Sequence, residues 1–122
     1  MSERKLAIID DEIYIYKGKV IKVVDGDTVD IAVDLGFGVK MIQRFRLYSI
    51  NAPEMRGEDR ALGKAAKQFL TELIIDKPIM VKTYKDEQGK YGRYLADLYT
   101  VDMECINEIM VKNGHAVEYM KR

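Results

Sequence analysis

The residues best able to do chemistry lie in three short stretches. Asp25-Gly26-Asp27-Thr28 delivers two acids on a tight turn. Arg46-Leu47 and then Asn51-Ala52-Pro53-Glu54 bring an arginine and a glutamate a short way downstream. Lys90-Tyr91-Gly92-Arg93 adds a second arginine on a glycine-containing turn. Carboxylates can hold a cation and activate water, and arginines can hold a phosphate and the charge that develops on it. Two acids and two arginines on separate elements are the parts that metal-assisted hydrolysis of a phosphodiester needs. Such an ester is an anion and repels nucleophiles. Fixed positive groups beside its nonbridging oxygens stabilise the five-coordinate transition state more than the ground state. The forked donor set of arginine suits that task better than the point charge of lysine.

These stretches must be carried by a small framework. The chain has 122 residues, enough for one domain with one core. Twenty basic and twenty acidic side chains cancel, which excludes a large basic field but not a local basic cleft. The single cysteine, Cys105, excludes an intrachain disulfide, and its apolar neighbours mark it as a small buried residue. No apolar run is long enough to cross a bilayer. Asp10, Asp11 and Glu12 interrupt the opening residues too early for a secretory signal. The expectation is a cytoplasmic protein with no membrane partner, with a secreted mature form as the alternative.

Residues 1–12 are mixed and charged and read as a tail or an added edge strand; 13–122 read as a single domain. Ile13 to Asp25 has strand composition. Val29, Ile31 and Val33 alternate with polar neighbours in a half-buried second strand. Gly36-Phe37-Gly38 turns the chain into a third strand, Val39 to Ile50, that Pro53 terminates. From Arg60 to Asp76 the period becomes helical, with Leu62, Ala65, Ala66, Phe69, Leu70, Leu73 and Ile74 on one face. Ile79 to Tyr84 reads as a fourth strand, Asp86 to Gly89 as a turn and Tyr94 to Val101 as a fifth strand. Glu104 to Asn113 reads as a second helix stopped by Gly114. Three strands, a helix, two strands and a helix predict an α+β, mainly β chain: a five-stranded OB-fold Greek-key barrel with two helices.

With its motifs in this order, the sequence resembles the staphylococcal nuclease (thermonuclease) family from about Lys19 to about Tyr119. The resemblance is carried by Val24-Asp25-Gly26-Asp27-Thr28, Phe45-Arg46-Leu47, Ala52-Pro53-Glu54, Lys90-Tyr91-Gly92-Arg93 with Leu95-Ala96, and Asn107-Glu108 with Gly114. It implies an OB-fold and calcium-dependent cleavage of DNA and RNA that leaves 3′-phosphate ends. By position, it makes Asp27 a direct calcium ligand, puts Asn51 where a second aspartate ligand is expected, and gives the Ala52 carbonyl to the metal. It makes Glu54 the general base, or the group that orders the attacking water, and Arg46 and Arg93 the phosphate-binding pair. Lys90, Tyr91 and Tyr119 correspond to residues lining the nucleotide pocket. Calcium takes hard oxygen ligands, so an asparagine at 51 can serve, but it removes one anion and weakens the site or opens it to another divalent cation.

Two departures from that family carry expectations of their own. The loop between Glu54 and the first helix is short, which bears on substrate contacts. The family's third, C-terminal helix is missing, so residues 1–12 or a partner subunit in a homo-oligomer would supply its packing. The reading that competes with a nuclease is a catalytically weakened or inactive OB-fold module that binds single-stranded nucleic acid or a protein through exposed tyrosines and a basic groove. His115, directly after the helix stop, reads as a surface or packing residue rather than a catalytic one, and Arg56, Arg60, Lys64 and Lys67 as a solvated helix entry first and a nucleic-acid backbone contact second.

Overall fold

The alternating apolar residues of the strands close into a barrel. The structure, a computed structural model, describes residues 14–88 and 93–119. Residues 1–12, expected as a tail or edge strand, and Lys90 and Tyr91 of the basic turn lie outside the described residues. In chain order the elements are β1 (Ile15–Asp25), β2 (Thr28–Gly36), β3 (Val39–Leu47), β4 (Ile50–Asn51), a 3-10 turn (Gly57–Asp59) and α1 (Arg60–Ile74). There follow β5 (Pro78–Gln88), β6 (Tyr94–Tyr99), α2 (Ile106–Lys112) and β7 (Val117–Glu118).

The barrel order is β1-β2-β3-β6-β5, closed by β5 against β1. All pairs are antiparallel except β3 with β6. This is the OB-fold expected from the sequence, α+β and mainly β. Val20, Val29, Ile31, Leu47, Val81 and Leu98 fill the interior, and Leu70 and Ile74 of α1 close one end. Gly18 sits where a Cβ would meet Ile31 at 2.6 Å, so a larger residue there would push β1 off the core.

Three boundaries and one helix face differ from the sequence reading in ways that bear on the site. The third strand stops at Leu47, because Ser49 takes a left-handed backbone (φ 56) and breaks the extended run. The chain resumes as β4, which pairs with β7 outside the barrel. The fourth strand runs through the expected turn to Gln88, which pairs with Tyr94 across an irregularity. Helix α1 ends at Ile74, because Asp76 turns left-handed (φ 58) and its N–H bonds the Val20 carbonyl at 3.2 Å. Finally, α1 buries Gly63, Ala66, Leu70 and Ile74, whereas Leu62 is 61% exposed and lies off the core face. Among the described residues, the segment after α2 forms no further helix and returns as β7.

Asn107 of α2 ties three elements together. Its Oδ1 accepts from Leu98 N–H at 3.1 Å. Its Nδ2 donates to the carbonyls of Tyr48 at 3.0 Å and Ala96 at 3.2 Å, and to Asp97 Oδ1 at 3.2 Å. The side chain is buried, so none of these groups has water as an easy substitute. Asn107→Ala leaves several of them unpaired. We expect a loss of about 3 kcal/mol in urea denaturation, and a change below about 0.5 kcal/mol would show the clamp to be idle.

Candidate active site

The β1–β2 hairpin presents Asp27 at its turn, and the carboxylate folds inward. Oδ2 accepts Ala52 N–H at 2.8 Å, and Oδ1 accepts the Thr28 hydroxyl at 3.2 Å. Asp25 receives Asp27 N–H at 3.1 Å. Burial raises the Asp27 pKa from 3.8 to about 6, aided by the Asp25 carboxyl and opposed by the Ala52 N–H and Arg46. A buried acid beside a second acid is an anionic site that a positive group would relieve.

Small residues make this placement feasible. A Cβ on Gly26 would lie 2.7 Å from the Ala52 Cβ and 2.8 Å from the Ala66 Cβ. A Cβ on Gly63 would lie 2.3 Å from the Glu54 carbonyl oxygen. The acidic turn, the 52–55 loop and α1 are therefore in backbone contact. Sequence patterning did not single out Gly63, because one glycine in a helical stretch carries no periodic signal.

Arg46 reaches across the same region. Nη1 donates to the carbonyls of Leu47 at 3.1 Å and Ile50 at 2.8 Å, and lies 3.5 Å from Asp27 Oδ2. Nη2 donates to Asn51 Oδ1 at 2.9 Å. The Arg46 Cζ stands 6.0 Å from the Tyr119 ring centroid. Tyr119 is held there by its N–H to the Ser49 carbonyl at 2.8 Å and by the β4–β7 pair, in which Asn51 opposes Val117. Two-residue strands are too short for any periodicity to reveal, which is why this pair was not legible. Arg93 enters from the start of β6 and donates to Thr28 Oγ1 at 3.1 Å, so Thr28 links it to Asp27.

The structure thus gathers Asp27, Arg46, Asn51, Ala52, Arg93 and Tyr119. Glu54 is adjacent in the chain, but its exposed carboxylate faces Arg56 Nε at 3.4 Å. With Asn51, Ala52, Pro53 and Asp59 it lines an open cleft of about 360 Å³ to which Gly114, Ala116 and Val117 also contribute. Among the described residues, no three His, Cys, Asp or Glu side chains converge as a metal ion's ligand cluster. The acceptors gathered around the Arg46 guanidinium are all oxygen: the Asp27 carboxylate, the Asn51 amide and the Leu47 and Ile50 carbonyls. Their hardness fits a cation such as calcium or magnesium, with low ligand charge. His115 stacks on Phe69 at 4.5 Å, the packing alternative of the two expected for it; Cys105 is half-buried rather than fully buried, and that partial burial pushes its thiol upward, away from reactivity.

Comparison with known proteins gives a consistent grouping. Residues 44–122 match the family model described as staphylococcal nuclease homologue. The chain is 33% identical over 112 residues to Protein ParB of Escherichia coli, covering 84% of this chain and 57% of that protein. It is 32% identical over 112 residues to a micrococcal nuclease of Shigella flexneri, covering 85% and 59%. It is 31% identical over 101 residues to a thermonuclease of Staphylococcus hyicus, covering 80% and 56%. The chain therefore spans little more than half the length of these curated relatives. No described helix is long and apolar enough to cross a membrane.

Two predictions follow from the packing and charge of the site. An acid whose folded pKa is raised costs stability when ionised. That cost is absent below 3.8, grows up to about 6 and is complete above it. Asp27→Asn should therefore stabilise the metal-free protein by about 2–3 kcal/mol near neutral pH, with the gain fading toward pH ~4. Chemical denaturation across pH checks this, and a gain independent of pH would contradict the assignment. Gly63→Ala, favourable for an isolated helix, should instead lower stability by about 1–3 kcal/mol because its Cβ meets the 54–55 backbone. A raised melting temperature in that variant would show the contact to be slack.

Proposed function

The chain belongs to the staphylococcal nuclease homologue family, and from that premise we propose that it is a nuclease hydrolysing phosphodiester bonds of DNA, RNA or both, with calcium as its cofactor. The observation that carries this reading is the buried Asp27 carboxylate flanked by two guanidinium groups, Arg46 directly and Arg93 through Thr28. That arrangement sets an anionic pocket against a positive clamp, beside a cleft containing Glu54.

In this reading Asp27, the Asn51 side-chain oxygen and the Ala52 carbonyl hold the cation. When bound, calcium neutralises a nonbridging phosphate oxygen. The chain's own residues do the rest. Arg46 uses three N–H groups on Leu47, Ile50 and Asn51 and keeps two of its five for a phosphate. Arg93 holds the phosphate from the opposite side, and both arginines meet the charge that grows on the equatorial oxygens. Glu54, exposed at the cleft, rotates from Arg56 to orient or deprotonate the attacking water. The family resemblance assigns Lys90 and Tyr91, with Tyr119, to binding the nucleotide. Breaking the bond to the 5′ oxygen leaves 3′-phosphate ends. Asn51 contributes no charge, so the calcium requirement is high.

The test is cleavage of a single-stranded oligonucleotide over a calcium titration. We expect cleavage that requires the cation, and a fall of roughly 10²–10³-fold in kcat for Arg93→Ala and for Glu54→Ala. Asn51→Asp should shift half-maximal activity to lower calcium. Strand binding without cleavage in the parent and in Asn51→Asp would replace this reading by that of a binding module.

A further inference from the structure

The outer face of β1–β2–β3 is built unlike the rest of this neutral chain. Its inward positions, Val29, Ile31 and Val33, are buried, so Asp30, Ala32 and Asp34 project outward with their cross-strand partners. Lys22 and Arg44 flank Asp30, Lys19 and Ile42 flank Ala32, and Lys17 and Lys40 flank Asp34. Each row nets one positive charge. The two acids are already engaged: Asp30 pairs with Arg44 at 2.7 and 3.1 Å, and Asp34 Oδ1 accepts Gly36 N–H at 2.8 Å. Lys17, Lys19 and Lys40 are exposed.

The rows begin where the clamp ends, since the next pair on the same face is Thr28 with Arg46. They lie two residues apart, about 6.6 Å, near the interval between successive phosphates of an extended single strand. Ile42, 65% exposed, offers an apolar surface among the cations. At the far end the hairpin tip displays Phe37, fully exposed and held left-handed (φ 55) between Gly36 and Gly38. An aromatic residue in that conformation is strained and gains nothing from burial.

We propose that this face is a track for the single-stranded polyanion that continues from the phosphate held by Arg46 and Arg93, with Phe37 stacking on a base at its end. The inference rests on the nuclease reading for its starting point. The track contacts phosphates through Lys17, Lys19 and Lys40, which gives affinity without sequence preference. Its length, about 24 Å from Arg46 to Val39 at strand rise, spans several nucleotides.

The test measures binding of a labelled single strand of about 20 nucleotides by anisotropy without divalent cation, a length above the ~4–16 nucleotides one such barrel takes. Lys17→Ala/Lys19→Ala/Lys40→Ala should weaken binding about tenfold and lower the slope of log K against log salt by about 2, at roughly 0.7 per phosphate. Phe37→Gly should weaken binding about fivefold or more with no loss of thermal stability. Cleavage of a dinucleotide, too short to leave the clamp, should keep its kcat/KM in all variants. Unchanged strand affinity with dinucleotide cleavage intact overturns the track and leaves the nuclease. Weakened strand binding in a chain that cleaves neither substrate keeps the track and removes the nuclease. Variants that lose binding to phosphatidylserine vesicles but not to the strand would assign the face to a membrane surface and overturn the proposal.

Discussion

Everything at this site depends on where one guanidinium puts its N–H groups. Arg46 emerges from the end of β3 and gathers the carbonyls of Leu47 and Ile50, the Asn51 amide and the edge of the Asp27 carboxylate. The planar fork can meet several acceptors at once, as an ammonium could not. By binding the two carbonyls it fixes the bend at Tyr48-Ser49 that ends the strand. By binding Asn51 it sets the short β4 that pairs with β7 and so brings Tyr119 over its own face. Arg46 is thus a structural residue as well as the phosphate ligand proposed for it. Its removal would disturb the loop as well as the chemistry, so the site's charges are better probed through Arg93 and Glu54.

The second constraint is the burial of Asp27. Desolvation is the largest influence on its carboxyl and outweighs the help of Ala52 N–H and Arg46, leaving the pKa near 6. A protein selected for metal-free stability alone would place a neutral residue there. The close approach of Gly26, Ala52, Ala66 and Gly63 shows the same priority. Small residues give up side-chain packing so that three backbones can converge on one carboxylate. Asn107 holds the opposite wall by joining α2 to β6 and to the Tyr48 carbonyl just before the bend.

Much of this was legible in the sequence, for reasons that can be named. The alternation of Val29, Ile31 and Val33 reports a sheet with one buried face, and the order of strands and helices reports the barrel. Asp27, Arg46 and Arg93 lie at element ends flanked by recognisable turns. What was hidden depends on contacts between distant segments. Nothing local in Tyr48-Ser49 announces a break; it arises from Arg46 reaching back to the carbonyls. Val117 and Glu118 become a strand only because Ile50 and Asn51 are there to pair with them. Leu62 fits the apolar period of α1 by type yet faces solvent, because the helix turns Gly63 and Ala66 toward the acidic turn instead. The charged rows of the outer face become visible only once strand register is known.

The central claim, that Arg46 holds the loop and still faces a phosphate, is tested most directly by side-chain nitrogen NMR of its guanidinium. The account predicts resolved, slowly rotating Nη protons in the free protein, reflecting the bonds to Leu47, Ile50 and Asn51. It also predicts a further shift of the Arg46 resonances when a short oligonucleotide and calcium are added. Averaged Nη signals like those of an exposed arginine, unmoved by the oligonucleotide, would contradict it.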